Sequence, residues 1–347
     1  MASAAQRRIK SISYAKYGYI FILPFFLVYF FFQLWPLINT FILSFQDNAT
    51  SDYVGFHNFE VILFGKGGRS ERNVHKNFLI SFKNTLILWV GNFIPQIALS
   101  LSLAVWFTEA NLKIPGKGFF KIVMYLPNII TAASVAVLFL QLCGEAENGP
   151  GAINLILNKI GLVAQDPASE KYETVKFITG EFQSRGVVMF IQTWMWFGNT
   201  MIMLMSGIQG INPSLFEAAS IDGATAGQVF RKITLPLLSP IMAYTLVTSM
   251  IGGLQMFDIP YLYHKDARKV SMSLKTVAVY IYEYFHDKTD PKMGYAGAAS
   301  VILFFITLFL GCIAFYLTRD KDEIARKKQL KKNQKQNVSV NKQFRGI

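Results

Sequence analysis

The stretch Glu217-Ala218-Ala219-Ser220-Ile221-Asp222-Gly223-Ala224-Thr225-Ala226-Gly227-Gln228-Val229-Phe230-Arg231-Lys232-Ile233-Thr234-Leu235-Pro236 lies between two of the most apolar segments of a 347-residue chain. It carries small residues, two acids, two bases and a turn, so it is composed for water while its neighbours are not. Just before it, Asn212-Pro213 reads as a helix start, with Asn as the cap and Pro at the first helical position. A short helix over 214–221 follows. Asp222-Gly223 stops it, because glycine enters the left-handed conformation without steric cost. So short a helix is unstable alone in water, and its Leu215, Phe216 and Ala219 call for a surface to bury against. Ala218 and Ala219 permit close backbone approach, and Glu217 offers an anchoring charge for a basic or donor-rich groove. The run 228–233 then turns the chain back toward the apolar pattern that restarts at Leu235-Pro236.

That apolar pattern fixes the class. The chain is 52% hydrophobic with 31 Phe and only 16% charged residues, against the quarter or so of charged residues usual in a soluble domain. Crossing a hydrocarbon core takes roughly 20 helical residues, and six runs are long enough: about 17–45, 78–107, 119–143, 187–208, 237–263 and 295–317. Runs of this length without period-two alternation satisfy their backbone in lipid only as helices. The expected fold class is therefore all-α integral membrane, with about six transmembrane helices. Pro24, Pro36 and Pro95 are expected to bend the first two. The first run resembles a signal peptide in its basic flank, but it is too long for a signal core and no small-residue cleavage site follows, so a retained anchor is expected.

Lys and Arg orient the spans. With a cytoplasmic amino end, the inner segments hold Arg7, Arg8, Lys10 and Lys16, then Lys113, Lys117 and Lys121, then Arg231 and Lys232, then a basic tail from Arg319 to Arg345. The outer bases Lys265, Arg268 and Lys269 are offset by Glu145, Glu147, Asp166, Glu170, Glu173 and Glu181. Both termini are then cytoplasmic, and the opening stretch faces the cytosol between spans four and five. The domain expectation is a basic segment at 1–16, a first span with outer loop at 17–80, a five-helix transmembrane domain at 81–317 and a basic tail at 318–347.

The net charge of +13 needs no nucleic acid, since basic residues flanking spans contact anionic lipid and the tail has a single aromatic, Phe344, for stacking on bases. Catalytic chemistry is not evident. No G-x-x-x-x-G-K-[ST] loop is present, and the cluster Gly65-Lys66-Gly67-Gly68-Arg69-Ser70 has the wrong spacing, so the chain does not hydrolyse ATP alone and no enzyme activity is expected. His57, His75, His264 and His286 are scattered over expected outer loops without metal-ligand spacing, and Cys143 and Cys312, near the ends of different spans, read as packing residues.

Glu217-Ala218-Ala219, Asp222-Gly223-Ala224 and Ile233-Thr234-Leu235-Pro236 together resemble the EAA signature of permease subunits of binding-protein-dependent ABC importers. The resemblance extends from about Ser81 to Phe315, through "NTLILWVGNFIPQIALSLSLAVWF", "YLPNIITAASVAVLFLQL", "LQMFDIPYLY" and "GYAGAASVILFFI", and is similar to the carbohydrate-uptake branch and its MalF-like partner, with a MetI-like fold. One departure stands out: relatives often read Leu-Thr-Gly-Gly-Gly-Pro at the outer end of span five, where this chain has Leu262-Tyr263-His264-Lys265-Asp266-Ala267.

The resemblance implies a mechanism and its partners. A second permease subunit shares the path, two cytosolic ATPases bind the ATP so that this chain needs no cofactor, and an extracellular binding protein delivers a sugar or oligosaccharide in a bacterial cytoplasmic membrane. Glu217, Ala218, Ala219, Asp222, Gly223 and Ala224 would then couple the chain to an ATPase cleft. A sugar path needs hydrogen-bonding groups and flat aromatic faces at mid-depth, which lipid-facing helices avoid. Span four offers Gln192, Trp194, Trp196 and Asn199, of which Gln192, Trp196 and Asn199 share one face. Span five offers Ser249, Gly252, Gly253, Gln255 and Asp258, its glycines open to a ligand against the backbone. Asn, Gln and Ser also bond neighbouring helices, and Trp also favours interfaces. A permease for a non-sugar solute and a self-contained secondary transporter remain the alternatives.

Overall fold

A computed structural model describes residues 15–109, 112, 114–145, 150–162, 174–264, 271–317 and 329–330. The basic flank Arg7, Arg8 and Lys10, the loop residues Lys113, Glu147, Asp166, Glu170, Glu173, Lys265, Asp266, Ala267, Arg268 and Lys269, and the basic residues of the tail lie outside the described residues. Among the described residues the fold is helical, with no strand and one isolated antiparallel bridge between Gln46 and Tyr53.

The helices are α1 (Ala15–Tyr29), α2 (Trp35–Leu43), α3 (His57–Phe64), α4 (Arg69–Thr108), α5 (Lys117–Ile129), α6 (Ala132–Leu142), α7 (Ala152–Lys159), α8 (Glu181–Gln209), α9 (Pro213–Ile221), α10 (Ala226–Val229), α11 (Leu235–Leu254), α12 (Asp258–Leu262), α13 (Val277–Phe285) and α14 (Met293–Leu317). Among the described residues five stretches are long and apolar enough to cross a membrane, Tyr17–Leu43, Arg69–Thr108, Glu181–Gln209, Ala226–Leu262 and Met293–Tyr316, and the sharply bent pair α5 and α6 counts as a sixth when it is taken as one span. The all-α membrane fold read from the sequence is the fold observed.

Several spans differ from their sequence outlines. The third is broken: α5 and α6 meet at 94° across Ile130 and Thr131. Thr131 restarts the chain by accepting a hydrogen bond from Ser134 N–H at 3.3 Å, as an N-cap does. The fifth starts earlier than Leu237, running as one rod from Ala226. In this rod and in the first span, a π-helical turn (Phe230–Thr234 and Phe30–Leu34) sits just before the dipeptides Leu235-Pro236 and Trp35-Pro36. Proline has no N–H and its ring crowds the carbonyl four residues back. The wider turns, closed by Leu235 N–H to Phe230 and Trp35 N–H to Phe30, accommodate that ring. Pro24 and Pro95 lie inside α1 and α4 without ending them. The second span, at 40 residues, is about 60 Å long at 1.5 Å per residue, so its N-terminal turns extend beyond the hydrocarbon.

The chain divides into two compact units, Met1–Lys76 with Ile281–Ile302, and Asn77–Tyr280 with Leu303–Ile347. In the first, the end of α2 meets the start of α14 at backbone distance. A Cβ on Gly297 would lie 2.9 Å from Ser44 N, and one on Gly294 would overlap the Gln46 carbonyl oxygen. The close approach lets Tyr295 N–H reach Asn48 Oδ1 at 3.2 Å. Asn58, fully buried, donates to the carbonyls of Ser44 and Gln46 at 3.0 and 2.8 Å and pins α3 to the same corner. His75, expected in a loop, lies inside α4 and its Nδ1–H donates to the Ile62 carbonyl at 2.7 Å.

The second unit is organised by a polar stripe along α4. Thr85, Trp89, Asn92, Gln96 and Ser100 recur every three or four residues and so share one helical face. Each reaches another segment or receives a bond from one. Thr85 Oγ1 accepts from Val277 N–H at 3.0 Å, Trp89 Nε1 donates to Ser249 Oγ at 3.2 Å, and Thr193 Oγ1 donates to the Asn92 carbonyl at 3.1 Å. Gln96 Nε2 donates to Thr200 Oγ1, and Ser100 Oγ to the Phe197 carbonyl, both at 2.8 Å. Hydrogen bonds of this kind join helices where burial of apolar surface gives no advantage over lipid. Apolar clusters fill in around them, one about Leu88, Val188, Ile191 and Tyr263, another about Ala104, Met201, Leu204 and Leu238. Cys143 belongs to the first cluster, whereas Cys312 is exposed on α14 and fills no core in this chain.

Candidate functional site

A cavity of about 650 Å³ opens between α4, α8, α11 and α12. That volume falls within the roughly 300–1,000 Å³ typical of small-ligand pockets. Of the nine residues named on spans four and five in the sequence, eight line it, Gln192, Trp196, Asn199, Ser249, Gly252, Gly253, Gln255 and Asp258. The helical spacing brings Gln192, Trp196 and Asn199 to one wall. The fifth span supplies the facing wall, because it breaks between α11 and α12 at Gln255, Met256 and Phe257. Non-helical backbone at this depth is tolerated where it lines a cavity. The Met256 carbonyl is satisfied by Thr276 Oγ1, which donates to it at 2.7 Å.

Hydrogen bonding separates the lining residues into two kinds. Trp89, Gln96, Thr200 and Ser249 bond one another across helices and hold the walls. Gln192, Asn199, Gln255 and Asp258 have no side-chain hydrogen bond or ion pair within the protein among the described residues, and their polar groups are left to whatever fills the cavity. Gln192 is the more telling, being only 8% exposed. Trp196 is 48% exposed and offers an indole beside these amides, with Tyr244 opposite on α11. Trp194, on another face of α8, packs edge-on against Phe139 with ring centroids 5.9 Å apart and is not part of the lining.

The two glycines differ. Gly253 is covered by the Trp89 indole, with which any Cβ there would overlap, while Gly252 has open space on its Cβ side. Close backbone approach at Gly253 therefore serves the indole, and the open backbone position is at Gly252. The α4 contribution to the cavity, Trp89, Asn92 and Gln96, was not among the sequence candidates, although the three- and four-residue spacing of polar groups in an apolar span signals it.

The second candidate element is α9. Asn212 Oδ1 accepts from Ser214 N–H at 3.1 Å at its start, with Pro213 as first residue. Its end is a full Schellman arrangement: Ala224 N–H donates to the Ala219 carbonyl at 2.9 Å, Gly223 N–H donates to Ser220 at 3.1 Å, and Gly223 has φ +70°. Thr225 and Gln228 then form a capping box that starts α10. Of the expected apolar face, Leu215 is exposed and Phe216 half-buried, whereas Ala219 turns inward and is buried in its own chain. Glu217 and Ala218 are exposed, with Asp222 and Gly223 beside them, and Ala224 is half-buried. Ile221, overlooked in the sequence, is 87% exposed. The outward surface of α9 thus presents Leu215, Ala218 and Ile221 with a carboxylate at Glu217.

Comparison with known proteins adds the family. The model of binding-protein-dependent transport system inner membrane components matches residues 85–321. The arabinooligosaccharides transport system permease protein AraP of Bacillus subtilis (strain 168) is 27% identical over 321 residues, covering 91% of this chain and 94% of that protein. The lactose transport system permease protein LacF of Rhizobium radiobacter is 26% identical over 321 residues, covering 92% of this chain and 100% of that one. Among solved structures, a chain of a bacterial ABC transporter involved in import of the acidic polysaccharide alginate superposes with a TM-score of 0.73 at 24% identity, covering 90% of this chain and 98% of its own. That likeness shows the fold.

The contrast between the two glycines is testable. Gly253→Ala should displace the Trp89 indole, break its bond to Ser249 and lower the melting temperature of the purified protein by several degrees. Gly252→Ala should change it little. Equal melting temperatures for the two variants would contradict the observed packing.

Proposed function

The chain belongs to the family of binding-protein-dependent transport system inner membrane components, and from that membership we propose that it is the subunit that conducts an oligosaccharide through the membrane. The observation that carries the sugar reading is the cavity with unpartnered amides at Gln192, Asn199 and Gln255 beside the half-exposed Trp196. Amides give and take hydrogen bonds with hydroxyls, and an indole face stacks on the apolar face of a pyranose. AraP, LacF and the maltodextrin permease MdxF, each named for an oligosaccharide or disaccharide, support the same class. A structurally similar transporter was solved with a periplasmic protein carrying an alginate pentasaccharide, which supports delivery by a binding protein.

The assembly follows from what one chain lacks. A second permease subunit completes the path, and two cytosolic ATPases hold the ATP, for which this chain has no P-loop. The outward face of α9 is the docking surface for one ATPase. Leu215, Ala218 and Ile221 enter its cleft, Glu217 meets a donor there, and the left-handed Gly223 fixes the angle at which the chain leaves. The protein resides in the bacterial cytoplasmic membrane, with α9 and both termini on the cytosolic side and the solute entering from outside.

Three measurements test this reading. Trp196→Ala should reduce solute uptake by tenfold or so, by loss of stacking, in a complex that is still recovered with all its subunits; undiminished uptake would place Trp196 outside the path. For α9, Gly223→Val forces a β-branched residue into the left-handed region at a cost of about 1–2 kcal/mol, and Ala218→Trp adds bulk on the docking face. Both should weaken ATPase retention or uncouple hydrolysis from the loaded binding protein; normal retention and normal stimulated hydrolysis in both would make the segment an ordinary loop. In a Cys312→Ser background, a membrane-impermeant thiol reagent should modify Leu162→Cys and spare Gly227→Cys in intact cells, both positions being exposed in the chain. The reverse pattern would invert the topology.

A further inference from the structure

The cavity is electrostatically one-sided. Asp258 is the one acid on its wall, and no Lys, Arg or His lines it among the described residues. The Asp258 carboxylate is exposed to the cavity and bonded to nothing in the protein among the described residues. Every other polar group on the wall is a neutral amide, hydroxyl, phenol or indole.

We infer that Asp258 makes this path selective for oligosaccharides without acidic groups. A free carboxylate accepts only, so it recognises a ligand that brings protons. A sugar hydroxyl donates to it in a charge-assisted hydrogen bond. A uronate brings a second negative charge instead, which the Asp258 carboxylate repels. With no cation among this chain's described lining residues to offset either charge, the uronate gains no compensating contact from them. The neutral Gln192, Asn199 and Gln255 serve hydroxyls equally well in both kinds of sugar, so the discrimination falls on Asp258. This inference rests on the reading of the cavity as the sugar path, and it separates the chain from its structural neighbour, which handles an acidic polysaccharide.

The test uses the complete complex, purified with its partner subunits and without ATP. Tryptophan fluorescence, to which Trp89 and Trp196 at the cavity contribute, is titrated with maltotriose, xylotriose and arabinotriose, and with trisaccharides of the same length ending in a uronic acid. The neutral member of a pair should bind about tenfold or more tightly than its acidic counterpart at low salt. Raising the salt to about 0.5 M should narrow the gap, because screening then acts within a few ångströms. Asp258→Asn should narrow it at low salt and remove its salt dependence. Acidic and neutral members binding alike in the unaltered complex would overturn the inference, as would a gap that neither salt nor the Asp258→Asn change affects. Should that variant fail to assemble, the salt titration of the unaltered complex decides alone. Absence of binding by any trisaccharide would instead overturn the sugar reading itself, and the inference with it.

Discussion

In hydrocarbon there is no water to take up a stray N–H or carbonyl, and that constraint orders this molecule. It makes every span a helix and confines departures from helix to places where another group is at hand. The break at Ile130–Thr131 is closed by the Thr131 side chain, and the break at 255–257 by Thr276 Oγ1 on the Met256 carbonyl. Both breaks border the cavity, through Ala132 on one side and Gln255 to Asp258 on the other. Interruption of the helix and opening of the cavity are one event: the chain unwinds where side chains from other segments, or a polar space, can receive its backbone.

The same constraint governs side chains. Polar groups inside the bundle are costly unless paired, and the stripe on α4 is paired at every step, to α8, to α11 and to the residues that begin α13. Asn84 continues it beyond Thr85, donating to the carbonyls of Met272 and Lys275 at 2.6 and 3.1 Å and accepting from Arg185 Nη2 at 2.7 Å. The amides of Gln192, Asn199 and Gln255 stand without a partner among the described residues, together on the cavity wall, whereas Ser81 Oγ and Thr307 Oγ1 are unpaired singly elsewhere. Asn84 is paired three times over, whereas Gln192, at 8% exposure on the cavity wall, has no partner among the described residues.

What could be read in the sequence followed from period and punctuation. Six apolar runs correspond to five span-length helices and the bent pair α5 and α6, and Asn212-Pro213 with Asp222-Gly223 marked both ends of α9, because caps and left-handed glycines are local. The face shared by Gln192, Trp196 and Asn199 came from helical spacing alone. Nonlocal facts were out of reach. Which side of α9 faces its own chain depends on what packs beneath it, so Ala219 was placed on the docking face and turned out buried. Gly253 and Gly252 are alike in sequence, and only the position of Trp89, 164 residues away by number, makes one crowded and the other open. The broken third span was signalled only by Pro127-Asn128 and by Thr131 with Ser134, which are short interruptions in a run otherwise apolar enough to read as one span. The stripe from Thr85 to Ser100 was legible in principle, since its period is the one used to read span four.

A single helical rod joins the turn that follows α9 to the cavity wall. From Ala226, just beyond the Schellman turn that ends α9, the chain runs as one rod through the π turn and α11 to Leu254. Ser249 and Gly252 lie on that rod at the cavity, about 35 Å from its start at 1.5 Å per residue. Between α9 and the cavity wall the chain has only the capped turn 222–225 and then this one continuous element. Caps on both sides hold that turn, the Schellman arrangement at Gly223 and the capping box of Thr225 and Gln228. Within the rod the π turn is the one place where the hydrogen-bond register changes. Pro236 forces that change, and so sets the rotation at which α11, with its cavity-lining face, is presented to α4 and α8. The requirement that a proline be accommodated without exposing a backbone group to lipid thus fixes the geometry through which an aqueous surface and a buried cavity are linked.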